Sequence, residues 1–210
     1  MRAGETLESL FGDRWIDVAR FNRIDRRHVR PGTYLKVPKR LEDIKDFTPM
    51  PSYYSQVSNE EKIILVDQPE QFIGAYEYGR LMFSAPITTG EKNNMTPSGE
   101  FRISATRREH RSSLYFIEGT HIPYPMNYGL IFHTSKAGVM FAIHGRDLPG
   151  YPASHGCIGL YDEAMQKKYY GYPRDPKLED AKKLYEWVMS GYPDTQRSRI
   201  LEAGPKVVIK

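Results

Sequence analysis

Residues 144–160 read HGRDLPGYPASHGCIGL and hold Cys157, the only cysteine in a chain of 210 residues. His155 lies two positions before it and His144 thirteen before it. The preceding run VMFAIH, at 139–144, is apolar and rich in β-formers, which predicts a strand ending on His144. The chain then passes through Gly, Pro and Ser, the composition of a loop. Such a loop leaves the cysteine three possible roles: nucleophile, metal ligand or buried side chain.

The metal role would take His144, His155 and Cys157, with His133 or Asp147 as a fourth ligand. Zinc sites on short loops use C-x-x-C or H-x-x-x-H spacing, and neither occurs here. The buried role fits poorly beside Gly156 in a small, polar stretch, where an idle thiol is a liability. The nucleophile role accounts for more of the pattern. A thiol with an ordinary pKa of about 8.5 needs a base at neutral pH. His144, held by a strand, supplies one once the loop brings Cys157 back beside it. Gly156 lets the backbone approach a substrate closely, so amides near Gly156 and Cys157 can form an oxyanion hole. Gly145 offers no side chain to orient the imidazole, which leaves a backbone carbonyl or another side chain for that task.

Working outward, the chain is rich in short strands. KIILVD at 62–67 is a β-branched run, and residues 71–78 turn through Gly79 into 80–84 as a hairpin. Thr96-Pro97-Ser98-Gly99 turns into an alternating strand at 100–104, and residues 130–133 precede the run that ends on His144. Short strands between turns predict a mostly β sandwich or barrel. A late helix follows, capped by Asp175 with Pro176 at its first position and Leu178, Ala181, Leu184, Tyr185 and Val188 on one face, stopping at Gly191. The tail GPKVVIK reads as a closing strand.

The first forty residues read differently. Thr6 caps a short helix carrying Leu7, Leu10 and Phe11, and Asp13 caps a second, RWIDVARFN, with Trp15, Val18 and Phe21 on one face. Pro31-Gly32 turns into the strand-like YLKVP at 34–38. Residues 41–60 lose periodicity and gain Pro and Ser, which reads as a linker to a second unit at 61–210.

Composition bounds the rest. With 40% hydrophobic and 27% charged residues the chain is a soluble globular type rather than a disordered one. The net charge is +4, and residues 1–50 hold 11 basic against 8 acidic side chains, or +3. That excess suits an anionic polymer as partner, or simply a solvated face. One cysteine forbids an internal disulfide, and no apolar run reaches the roughly 18 residues of a membrane span.

Residues 1–40 resemble a LysM module, a small βααβ unit that binds N-acetylglucosamine polymers such as peptidoglycan. The matching features are Gly4-Glu5-Thr6-Leu7, Asn22, and Arg30-Pro31-Gly32 with Leu35, Val37 and Pro38. Residues 62–210 resemble the YkuD-type L,D-transpeptidases. The residues that carry this are Ala142-Ile143-His144-Gly145, Ser154-His155-Gly156-Cys157-Ile158, Pro86-Ile87-Thr88-Thr89-Gly90 and Thr96-Pro97-Ser98-Gly99-Glu100-Phe101.

The resemblance implies a mostly β catalytic domain with a late helix, acting on peptidoglycan peptide stems without a cofactor or metal. Cys157 is then the nucleophile, His144 its base, Ser154 and His155 supporting residues, and Gly156 part of the oxyanion turn. The thioester with a tetrapeptide stem releases D-Ala, and an amine of a second stem makes a 3→3 cross-link. The family's cysteine typically accepts carbapenems. Tyr124, Met126 and Tyr128 would flank the cleft, with Arg146 and the module's Asn22 as further substrate contacts. The setting implied is the cell envelope, periplasm or wall, after removal of an export signal, with no nucleic-acid partner. Two alternatives stand beside this: an L,D-carboxypeptidase using water as acceptor, and a non-catalytic peptidoglycan-binding protein. One departure is plain. The family usually has arginine two positions after the cysteine, and this chain has Gly159, with Arg146 or Arg102 as candidate substitutes.

Overall fold

The structure is a computed structural model that describes residues 1–193 and 198–210. The order is two short helices, α1 (Leu7–Phe11) and α2 (Trp15–Asn22), then ten strands, two helices and two more strands. The strands are β1 (Ile63–Asp67), β2 (Phe72–Glu77), β3 (Arg80–Pro86), β4 (Gly99–Arg102), β5 (Ala105–Arg107), β6 (Arg111–Phe116), β7 (Pro123–Pro125), β8 (Gly129–Thr134), β9 (Met140–Arg146) and β10 (Ile158–Tyr161). Helices α3 (Glu163–Tyr170) and α4 (Asp180–Met189) follow, then β11 (Ser198–Ile200) and β12 (Lys206–Ile209). The fold is mostly β with a small helical N-terminal part, as expected. No helix among the described residues is long and apolar enough to cross a membrane.

Two five-stranded sheets carry the core, in the orders β3-β2-β1-β12-β4 and β10-β9-β8-β5-β11, while β6 and β7 form a separate hairpin. Within each sheet most neighbours are antiparallel, but β1 pairs with β12, and β9 with β10, in parallel. The core between the sheets is filled by Ile64, Val66, Ile73, Leu130, Ile143 and Leu160, and α4 adds Leu184, Tyr185 and Val188. The apolar spacing of α4 therefore has the role its periodicity suggested.

The helix starts later than expected. Asp175 does not cap it; α4 begins at Asp180. The reason is a competing partner: the Glu163 carboxylate accepts from the amides of Lys177 and Leu178 at 2.6 and 3.0 Å, holding that stretch outside the helix. Helix α3 was not foreseen, because EAMQKKYY has little apolar periodicity. Its ends explain it: Asp162 caps the first turn through the Met165 amide at 2.8 Å, and Gly171 closes it in the left-handed region.

The strands expected of a βααβ module are corrected. Before Ile63 the chain has no ladder strand, and residues 34–38 form none. What remains of the pairing is local: the Gly32 amide donates to Met1 O at 2.9 Å, and the Met1 amine to Thr33 O at 2.9 Å. The Asn22 side chain takes the ladder's place, accepting from the Lys36 amide at 2.7 Å and donating to Lys36 O and Val18 O.

Residues 41–60, expected as a linker, lie packed. Ile44 and Met50 are buried, and the Phe47 ring meets Phe21 edge-on at 5.0 Å and Phe72 at 5.9 Å. The N-terminal part also grips the sheets directly. Arg26 forks onto fully buried Glu163 at 2.8 and 2.5 Å, and Arg20 meets fully buried Asp180 at 2.5 and 2.7 Å. The Tyr161 hydroxyl on β10 reaches the carbonyls of Ala19 and Ile24 at 3.2 and 3.0 Å.

Candidate active site

The register of β9 against β10 builds the site. Ile158 pairs with Ile143 and Gly159 with His144. Partners in a parallel ladder share a face, and side chains alternate along each strand. Ile143, Ile158 and Leu160 therefore enter the core, as observed. Ala142, His144 and Arg146, with Cys157, Gly159 and Tyr161, occupy the opposite face. His144 on β9 and Cys157, the residue just before β10, thus lie toward one face of the same sheet. Further along that face Tyr161 lies beneath Ala19 and Ile24 of the N-terminal part.

His144 is buried, and its Nδ1 lies 2.8 Å from the Gly145 carbonyl. A carbonyl only accepts, so Nδ1 carries the proton and Nε2 keeps its lone pair. Burial pushes the imidazole pKa down to about 4, partly offset by the Gly145 carbonyl and reinforced by Arg146 and His110. Gly145 is itself pinned, since its amide donates to Asn127 O at 2.8 Å and a Cβ there would come within 2.3 Å of Asp162 Oδ2. The group that orients the imidazole is therefore the Gly145 carbonyl, with the cap of α3 behind it.

Cys157 is partly buried, and burial raises its thiol pKa; a backbone hydrogen bond from Ala142 and the charge of Arg146 act against that. Both shifts favour the neutral forms, thiol and imidazole, over thiolate and imidazolium.

Ser154, fully buried, organises the turn before the thiol. Its hydroxyl donates to Cys157 O, and it accepts from the Gly156 amide at 3.0 Å. The Gly156 amide is thereby committed, which corrects its expected place as an oxyanion donor. Gly156 matters through its backbone instead, with φ of 110° and a would-be Cβ 2.6 Å from the Phe141 ring. Thr96 Oγ1 donates to Gly156 O at 2.9 Å and accepts from the Gly90 amide at 2.9 Å, so the segments around 86–99 wrap the turn.

His155 faces outward. Its ring stacks on Tyr115 of β6 at 4.4 Å and 18°, and Nε2 lies 4.0 Å from Glu91. No group of three His, Cys, Asp or Glu that could hold a metal occurs among the described residues.

The remaining expected contacts divide. Tyr124 is at the site: its hydroxyl lies 3.4 Å from Asp147 Oδ2, and the Arg146 guanidinium sits 6.0 Å from its ring. Arg146 donates to Ala153 O at 2.7 Å, and its Nε is buried without a partner. Tyr128 belongs to the core side, meeting Tyr185 edge-on at 5.9 Å, and its φ of 58° marks a turn. Met126 is half-buried with its amide on His110 O at 2.8 Å. Asn22 is committed to Lys36 and Val18 as described.

The sequence did not single out Asp147, Asp25, Arg27 or Tyr115 for the roles they take here. Asp147 accepts from Gln166 at 2.9 Å and pairs with Arg27 at 2.9 Å. From sequence Asp147 enters only as a candidate fourth ligand in the metal role.

The model of the YkuD family, the L,D-transpeptidase catalytic domain, matches residues 61–209. No curated protein matches the chain. Among solved structures, an L,D-transpeptidase from Mycobacterium smegmatis is 14% identical with a TM-score of 0.44, over 72% of this chain and 59% of that one. An L,D-transpeptidase from Stackebrandtia nassauensis is 19% identical with a TM-score of 0.48, over 95% and 67%. One from Xylanimonas cellulosilytica is 20% identical with a TM-score of 0.47, over 92% and 77%. The present chain thus spans about three fifths of the first of these.

Proposed function

Because the chain belongs to the YkuD family of L,D-transpeptidase catalytic domains, we propose that it is a peptidoglycan L,D-transpeptidase of the cell envelope whose nucleophile is Cys157. The observation that carries this reading is the shared face of β9 and β10, where the thiol lies toward the same side as a neutral imidazole whose Nδ1 proton is fixed on Gly145 O.

In this mechanism His144 Nε2 takes the proton as the sulfur attacks the carbonyl of the diamino acid in a tetrapeptide stem. Collapse of the tetrahedral adduct breaks the bond to the terminal D-Ala, whose amine takes that proton back. An amine of a second stem then attacks the thioester, forming a 3→3 amide and returning the thiol. The Cys157 amide, at the end of a turn held by Ser154, is the donor offered to the oxyanion. Arg146, with its buried and unpaired Nε, offers charge to a stem carboxylate beside Tyr124.

The segment 1–40 retains the LysM-like sequence features and is proposed to contact glycan; retention on purified peptidoglycan checks that separately. The activity is tested by mass spectrometry of products from disaccharide-tetrapeptide, with Cys157→Ala as control. A cross-linked dimer lacking one D-Ala, formed only with the cysteine, upholds the reading. Tripeptide alone assigns a carboxypeptidase, and unchanged substrate leaves a binding protein.

A further inference from the structure

The polar network that ends at Tyr124 begins outside the family match, in residues 24–27. Ile24 bridges Pro149, and Asp25 clamps Leu148 from both sides: its amide donates to Leu148 O at 2.8 Å, and its Oδ2 accepts from the Leu148 amide at 2.7 Å. These contacts lie on the segment that joins the base to the nucleophile. Arg27 continues the line. Its guanidinium meets Asp147 Oδ2 at 2.9 Å and lies 4.1 Å from the Tyr170 ring centre. The same Oδ2 lies 3.4 Å from the hydroxyls of both Tyr124 and Tyr170.

Asp147 is buried, and a buried carboxylate needs a counter-charge to keep its place. Arg27 is the cation paired with it. Without that charge the carboxylate turns toward water, and that movement frees the Tyr124 hydroxyl. Tyr124 in turn backs the Arg146 guanidinium.

We propose that Arg27, from the N-terminal segment, is a positioning residue of the cleft: through Asp147 it fixes Tyr124 and Arg146 for the peptide stem. This rests on the proposed transpeptidase reading. The N-terminal segment is on this view a wall of the active site as well as an attachment to it. Arg27 touches neither thiol nor imidazole in the network described, so its effect falls on substrate binding.

The test uses the full chain carrying Arg27→Ala, Arg27→Gln or Arg27→Lys, with kcat and KM for disaccharide-tetrapeptide and amide exchange at residues 147–154. The expected result is a KM raised about tenfold in the Ala and Gln variants with kcat nearly unchanged. Exchange quickens at 147–154 but not in β1 or β2, and Lys restores most of both. Should the Ala variant fail to fold, the Gln and Lys variants carry the comparison. A folded Ala or Gln variant with wild-type KM, or with a loss confined to kcat, overturns the proposal. If the wild-type chain makes no product, the transpeptidase reading fails and exchange decides alone. Unaltered protection in the variants then overturns the positioning role, and a local loss repaired by Lys upholds it.

Discussion

Arg146 lies over Gly159. A Cβ built on the glycine comes within 2.7 Å of Arg146 Cδ and 2.8 Å of its Cβ, with Thr88 Cγ2 at 2.9 Å on another side. The space a side chain at 159 would enter is thus filled by the stem of an arginine from the neighbouring strand. We infer that Arg146, on β9, stands in for the arginine that the family resemblance places at position 159 of β10.

That substitution of one strand for the other predicts a compensating pair. Gly159→Ala overpacks the contact and lowers stability by about 1–3 kcal/mol, read as a drop in Tm. Gly159→Arg alone displaces Arg146 and loses activity. Combined with Arg146→Ala it regains part of what the single change lost. An additive double variant, with no recovery in the product assay, refutes the swap.

The neutral thiol predicts a particular pH profile. With Cys157 raised by burial, alkylation by iodoacetamide is still climbing above the pH at which an ordinary thiol has titrated. A thiolate pre-formed beside imidazolium gives instead a plateau below pH 7, and observing one contradicts the neutral pair.

His144 also ties stability to pH. Its pKa falls from an ordinary 6.5 to about 4 on folding, so between those values the unfolded chain binds the extra proton. Stability contributed by the neutral ring is complete above pH 6.5 and drains away as pH falls toward 4. Melting curves between pH 7 and 4 show a steeper decline for the wild type than for His144→Gln. Parallel declines in the two proteins remove this linkage.

Removal of residues 1–60 is expected to unfold the catalytic unit. Glu163 and Asp180 are fully buried and are paired with Arg26 and Arg20. Breaking such a pair from one side costs about 3–5 kcal/mol, and two are lost at once against a typical stability of about 5–15 kcal/mol. Expression of residues 61–210 alone, judged by exchange-resonance dispersion or a cooperative melt, checks this. A well-folded fragment with native Tm contradicts it.

The parts of this molecule that local patterning could report were those built from neighbours in sequence. The hairpin of β2 and β3 was legible because two strand-forming runs and a turn at Tyr78-Gly79, both left-handed, lie within fifteen residues. The strand carrying His144 was legible as an apolar run, although it continues to Arg146 rather than ending on the histidine, and the apolar face of α4 was legible from its spacing. The start of α4 was not, because Glu163, at the head of another helix, captures the amides of Lys177 and Leu178. The closing strand at 34–38 failed because Asn22 satisfies Lys36 where a strand partner would have done so. In the site, Cys157 and His144 carried their own chemistry in residue type. The commitment of Gly156, the outward turn of His155 and the reach of Arg27 depend on contacts across the chain, which no spacing encodes.

The position of β12 has a consequence for biogenesis. This strand, at residues 206–209, lies between β1 and β4, with Ile63 paired to Lys206 and Gly99 to Ile209. The first sheet is therefore split in two until those residues emerge from the ribosome, and its central ladder closes only after synthesis of this stretch is finished. A nascent chain that has not yet made β12 therefore holds β3-β2-β1 and β4 as separate parts, and that sheet is joined last, by β12 itself.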